Sequence, residues 1–341
     1  MVGVKTATPA MARAINDRLA LDLLLERGPL TAPQLRELTG LSRPTVSDLI
    51  ERLKQGGLIE VTGESGEDRR GPNARLYGIV AGRAHVAGVD VRRSAIHVTV
   101  ADITGAPVGS ISLPHDGEPA ARIAEAVTLA AGGRALETVA MGAPGLVDPR
   151  TGELVSENFV PGWRPGLLEE VRRRLGVTAV LENEVNLAAV AELRIGAAKG
   201  REDFVLLWLD DGIGAAVVLG GRLRRGTSGG AGEVGLLRMG GLTFCELVDA
   251  HAAEGVEPAE LAGRIAQGAF ALVTILDPGL VVLGGVTGRA GGQELAALVA
   301  EQVAELSPAP TEVRATTVSG NAILQGAVLT ALDLARDRVF C

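Results

Sequence analysis

The chain has 341 residues, 47% of them hydrophobic and only 2% aromatic, with a formal net charge of −8. That length allows two or three compact units, a core filled largely by Leu, Val and Ala, and few rings on which single-stranded nucleic acid would stack. Two cysteines, Cys245 and Cys341, are too few for a disulfide framework and suit a reducing cytoplasm; no leader-like segment opens the chain, and no uninterrupted apolar run reaches the roughly 18 residues of a membrane span.

The charge is unevenly spread. Residues 1–83 carry 12 Lys and Arg against 10 Asp and Glu, whereas the remainder carries 21 against 31. A mildly basic module on an acidic body fits a nucleic-acid reader placed on its own domain.

Residues 1–13 lack periodicity and read as a flexible arm. Ile15, Leu19 and Leu23 then recur at helical spacing up to Gly28-Pro29. Thr31 with Gln34 three residues on predicts a capping box for a second helix, with Leu35 and Leu38 as its apolar side and Gly40 closing it. Ser42 caps a third helix that tolerates Pro44 in its first turn. Val46, Leu49, Ile50 and Leu53 form its buried stripe. Helix, short glycine-containing turn and helix is the pattern of a helix-turn-helix. Ser42, Arg43, Pro44, Thr45, Ser47 and Arg52 are the candidate DNA contacts on the reading helix; the alternative is a plain helical hairpin. Residues 57–61 and 74–79 read as paired strands, and the segment between them as a wing. At its end Arg69, Arg70, Gly71 and Pro72 are candidates for a narrow minor groove, unless this is only a solvated loop, as Glu64, Glu67 and Asp68 allow.

From about residue 84 strands and helices alternate. Val86–Asp90 leads through Ala95–Val100 to a turn at Gly105; Phe204–Asp210 leads through Gly214–Leu219 to a turn at Gly220-Gly221. Strand, acidic corner, strand and tight turn thus occur twice, which predicts a duplicated α/β body with a ligand cleft between two lobes.

Six ordered segments sharpen this reading: LSRPTVSDLIERLKQGGLI (41–59), GAPGLVDPRTG (142–152), NFVPGW (158–163), LENEVNLAAVAE (181–192), DGIGAAVVLGGRLRRGTSGGAGEVG (211–235) and LDPGLVVLGG (276–285). With them the chain resembles the ROK family (repressors, open reading frames and kinases) in its regulator branch, from about residue 14 onward. The resemblance implies an α/β fold: a winged helix-turn-helix over 14–82, then a two-lobed actin/hexokinase-like (ribonuclease-H-like) sensor domain over 83–341. The first lobe would take about 83–182 plus 321–341, the second about 183–320. It also implies a sugar-binding cleft contacted by Asn158, Asn183, Glu184, Glu233 and Glu246. Asn158 stands at the family's sugar-contacting asparagine ahead of Trp163. Asn183-Glu184 takes the place of an Asn-Asp pair whose aspartate is the general base of kinase members. Carboxylates and amides suit such a ligand because they accept from and donate to hydroxyls in fixed directions.

Three departures argue against catalysis. Where ATP-using members carry an Asp-x-Gly-Gly-Thr loop, this chain reads Asp90-Val91-Arg92-Arg93-Ser94, so bulky side chains replace glycines that admit phosphate. The second phosphate loop reads Asp210-Asp211-Gly212-Ile213-Gly214 and places two carboxylates against a polyphosphate. The base is Glu184 rather than Asp, which moves its carboxylate by about one methylene. The family's zinc site is degraded too: Glu233-Val234-Gly235 is followed by Leu236 instead of His, and Cys245 with His251 gives at most two of the four ligands a closed zinc site needs. No metal and no cofactor are expected.

The sequence thus predicts a transcriptional regulator, with a repressor favoured. It would bind a pseudo-palindromic double-stranded operator as a homodimer or homotetramer and sense a sugar or sugar derivative without phosphorylating it. The alternatives are a ligand-independent regulator with the body as an oligomerisation platform, and a sugar kinase with an added DNA domain.

Overall fold

A helix begins where a side chain can satisfy the free amides of a first turn, and three such caps shape the amino-terminal domain. The computed structural model describes residues 8–65, 74–155 and 160–340. Thr8 caps α1 (Pro9–Arg27) by accepting from the Met11 amide, with Pro9 in the first turn. The helix therefore takes in residues 9–13, which the sequence reading assigns to the arm, because a capping threonine before a proline starts it earlier than the apolar spacing suggests. Its buried face also differs from the expected one. Ala20, Leu21 and Leu24 are buried, whereas Ile15 and Leu19 are 63% and 41% exposed. Apolar spacing favoured the larger side chains, but the small Ala20 lies on the side where neighbouring elements pack.

The short β1 (Leu30–Thr31) leads into α2 (Ala32–Thr39), where the expected capping box is present: the Thr31 amide donates to Gln34 Oε1 at 2.8 Å and the Gln34 amide to Thr31 Oγ1. Leu35 is buried, but Leu38 is about a third exposed. Gly40, at φ 69°, makes the left-handed turn before Ser42 caps α3 (Arg43–Gln55), which buries Val46, Leu49, Ile50 and Leu53 as expected. The wing strands β2 (Ile59–Ser65) and β3 (Ala74–Ile79) pair antiparallel from Ile59↔Ile79 outward. β1 adds to the other edge of β3 through Leu30↔Tyr77, a third strand too short to be read from periodicity. The wing-tip candidates Arg69, Arg70, Gly71 and Pro72 lie outside the described residues.

The body repeats one sheet topology. In the first lobe β4 (His85–Val91), β5 (Ala95–Asp102) and β6 (Pro107–Pro114) form an antiparallel meander. After α4 (Pro119–Ala131), β7 (Leu136–Ala143) pairs parallel to β4; after α5 (Leu167–Leu175), β8 (Thr178–Asn183) pairs parallel to β7. The order is β6-β5-β4-β7-β8. α6 (Glu184–Ile195) crosses to the second lobe, where β9 (Phe204–Leu209), β10 (Ile213–Leu219) and β11 (Arg222–Arg224) repeat the meander. There follow a small hairpin, β12 (Arg238–Met239) and β13 (Leu242–Thr243), and the helices α7 (Phe244–Val248) and α8 (Pro258–Leu276). β14 (Leu280–Gly284) pairs parallel to β9, α9 (Gly285–Leu306) breaks its helical path at Gly292, and β15 (Glu312–Ala315) pairs parallel to β14. The order β11-β10-β9-β14-β15 matches that of the first lobe. β9 and β14 are buried throughout, as strands covered on both faces must be.

α8 is the described helix long and apolar enough to cross a membrane by length and composition, and it buries Leu261, Ile265 and Val273 in the second-lobe core. Finally α10 (Ala322–Val339) returns to the first lobe, packing on β4 and β7 and along α6.

Candidate functional site

Two places concentrate polar chemistry. On the amino-terminal domain, Ser42, Arg43, Pro44 and Ser47 are exposed together at the start of α3, and Thr45 is half-buried with its hydroxyl 2.8 Å from Ser42 Oγ. This is the face that a groove-binding helix would present. Arg52 is engaged elsewhere. Its Nε and Nη2 form a two-pronged pair with Asp17 on α1, at 3.1 and 2.5 Å, so the side chain ties two helices of the domain together. The reading helix carries Arg52 two turns beyond Thr45, where the helix faces α1, and only the partner on α1 could reveal this.

The second place is the cleft, where the carboxyl ends of β4, β8, β9 and β14 meet the first turns of α6, α9 and α10. Asp90, at the end of β4, is wholly buried. Arg92 Nε lies 2.9 Å from Asp90 Oδ1, and Arg92 Nη1 lies 3.3 Å from Glu184 Oε2. Asn321, which caps α10, donates from Nδ2 to Asp90 Oδ2 at 2.7 Å. One guanidinium thus serves two carboxylates. Burial raises the Glu184 carboxyl to about 7, because Arg92 only partly offsets desolvation while Asp90 and Asp210 repel a second negative charge. A cavity of about 370 Å³ opens here, lined by Arg92, Trp208, Asp210, Gly285, Arg289 and Asn321 among others. The sequence reading missed Asn321 and Trp208 as cleft residues: Asn321 follows Gly320 in a short connection outside any motif, Trp208 reads as one more apolar residue of β9, and only the fold brings them to one cavity.

The expected ligand residues fall into different settings. Asn183 caps α6, its Oδ1 accepting from the Val185 and Asn186 amides, and its Nδ2 holds the Gly145 carbonyl at 3.0 Å. Next to it the buried Glu182 accepts from Asn186 Nδ2 and, across the lobes, from Arg225 Nε at 2.6 Å. That bond seats the loop 225–233 against the first lobe. At Gly229 the loop passes so close that a Cβ would lie 2.1 Å from the Val147 carbonyl oxygen. Glu233 ends this loop: its side chain reaches solvent, yet the surrounding walls desolvate the carboxylate and raise its proton affinity. Glu246 is exposed and spends Oε2 on the capping box of α7, accepting from the Thr243 amide at 2.7 Å, which keeps its carboxyl below the ordinary range. Asn158 lies outside the described residues. Leu236 is 72% exposed, and among the described residues no three His, Cys, Asp or Glu side chains group as metal ligands.

Two lobes of one repeated topology around such a cleft, behind a winged helix, define a sugar-kinase-like body carrying a helix-turn-helix. Residues 87–256 match the ROK family and residues 15–71 the MarR family. The chain carries a ROK-family domain behind a MarR-type winged-helix domain. It is 34% identical over 158 residues to a glucokinase of Streptomyces coelicolor, covering 45% of this chain and 49% of that protein. It is 27% identical over 242 residues to the xylose repressor of Bacillus subtilis, covering 67% of this chain and 62% of the repressor. The chain therefore spans about half to under two thirds of the length of these relatives. In fold it follows the crystal structure of a ROK family transcriptional regulator, a homologue of the Escherichia coli MLC protein, with a TM-score of 0.76 at 16% identity over 96% of this chain and 99% of that one.

Proposed function

We propose that this protein is a DNA-binding transcriptional regulator, a repressor, whose cleft senses a sugar or sugar derivative without phosphorylating it. The observation that carries this reading is the Arg92 clamp. A guanidinium fills the corner where phosphate-binding loops keep glycine, and it engages both Asp90 and Glu184. A base needs a free carboxylate in reach of the hydroxyl it deprotonates. Glu184 instead has Oε2 engaged by the Arg92 guanidinium at 3.3 Å, the cation it shares with Asp90.

The exposed start of α3 supports the DNA-reading half, with Arg43 and Ser47 as contacts and the helix N-terminus as a phosphate seat. Glu184, Glu233 and the second donor of Asn183 Nδ2 support the sensing half; Asn158 is proposed as a contact from the resemblance, and Glu246 contributes least, since its cap occupies Oε2. The protein would act as a homo-oligomer on a two-fold site.

The test is direct. The full chain selects its duplex from a random pool, and the enriched duplex is then titrated in the presence of D-glucose, D-xylose or N-acetylglucosamine, each also as its phosphate. A sugar that shifts DNA affinity is the expected result. Steady ADP release with any of these sugars, lost in Glu184→Ala, would replace the sensor with a kinase.

A further inference from the structure

The cleft and the winged helix are joined by one continuous helix. α10 starts at Asn321, in hydrogen-bond contact with Asp90, and runs 18 residues, about 27 Å at 1.5 Å per residue. Its far end is the seat of the amino-terminal domain. Asp337 accepts from Arg18 Nη1 of α1 at 2.8 Å, and the buried Phe340 lies under the Arg18 guanidinium at 5.9 Å. α6 runs the same course: Glu184 opens it in the cleft, and Arg194 in its last turn pairs with Asp333 on α10 at 2.5 Å.

The two helices cannot slide independently. At Gly326 of α10 a Cβ would stand 1.8 Å from the Leu187 carbonyl oxygen of α6, so the backbones touch. Close-packed interiors of this kind transmit displacement rather than absorb it. At the domain junction the packing is open instead. A groove of about 860 Å³ separates α1 from α6, α10 and the β5–β6 turn, and it is rimmed by the charged side chains Arg18, Asp22, Arg194, Asp333 and Arg336. Adjacent residues of α1 then divide the work: Arg18 holds α10, while Asp17 holds Arg52 of α3.

We infer that α6 and α10 form a rigid coupler that carries the state of the Arg92 clamp to the orientation of α3, with Arg18–Asp337 as the contact through which it passes. This rests on the proposed function for its purpose, though not for its mechanics. A coupler of this type acts only where the cleft occupant favours one arrangement over another, and spatial continuity becomes coupling when a change at one end is read at the other.

The experiment needs neither an identified ligand nor an operator. Amide hydrogen exchange is followed on the full chain for the wild type, Glu184→Gln, Asp337→Asn and the double variant, with Arg92→Ala as a stronger perturbation of the clamp. Local opening reports the coupling. Glu184→Gln is expected to change exchange rates in residues 15–27 by at least about threefold, and the change is expected to vanish in the Asp337→Asn background. Unchanged exchange in α1 for both clamp variants, or an equal change with and without Asp337, would overturn the inference. Binding of a fluorescent duplex pool by the same proteins is read alongside. Failure of all of them to bind would remove the DNA-reading function, while the exchange data still decide the coupler.

Discussion

Arg92 lies 3.3 Å from Glu184, and the same guanidinium holds the fully buried Asp90 at 2.9 Å. Asp90 takes the larger share of that charge and also accepts from Asn321, which leaves the buried Glu184 undercompensated.

Glu184 makes stability depend on pH in a stated direction. Its carboxyl is raised in the folded protein from 4.5 to about 7. The fold therefore favours the protonated form. The associated stability is fully present below about pH 4.5 and is lost as pH rises through 7. The full swing is on the order of 3 kcal/mol. Glu184→Gln should remove that slope, which denaturant titrations between pH 4.5 and 8 would measure; an unaltered slope would assign the dependence to other groups.

Arg43 and Arg52 should separate cleanly. Arg43 is exposed at the start of α3, so Arg43→Ala should weaken duplex binding and lower the magnitude of the salt slope of log K by about one. Arg52 is held by Asp17, so Arg52→Ala should act mainly on the stability of the amino-terminal domain. Both partners are partly exposed, so the pair is worth about 1 kcal/mol or less. A double-mutant cycle with Asp17→Ala, read by thermal melting, gives that coupling. A loss of DNA affinity from Arg52→Ala with unchanged melting would return Arg52 to the DNA face.

Gly326→Ala should be far more damaging than a surface glycine change. The added methyl meets a backbone oxygen of α6 that cannot rotate away. A loss of about 2–4 kcal/mol is expected, or poor folding. Near-wild-type melting would show that α6 and α10 have room to separate.

The capping box of α2 sets a smaller effect. Thr31→Ala removes the acceptor for the Gln34 amide and the start of the helix-turn-helix. A loss of about 1 kcal/mol in the stability of this domain is expected, and Thr31→Ser should restore most of it.

Much of the architecture is legible in the chain. Thr31 with Gln34, Ser42 before Pro44, and the stripe from Val46 to Leu53 each express local rules of capping and helical period, and the structure keeps all three. The repeated strand, corner and turn near Asp90 and Asp210 likewise marks two sheets of one order. Local patterns fail where partners come from afar. Ile15 and Leu19 look like core but face outward, and spacing gives no sign that Arg52 pairs with Asp17, 35 residues away in sequence.

By itself the sequence determined the helix-turn-helix with its caps and the doubled body, because caps, periodicity and residue size act within a few neighbours. The tertiary structure alone decided that Arg92 closes on Glu184, that Asn321 reaches Asp90 across 231 positions, and that α10 ends under Arg18. Those contacts depend on how two sheets and their crossing helices are stacked, and a desolvated charge reveals its partner only when the surrounding elements have shut out water.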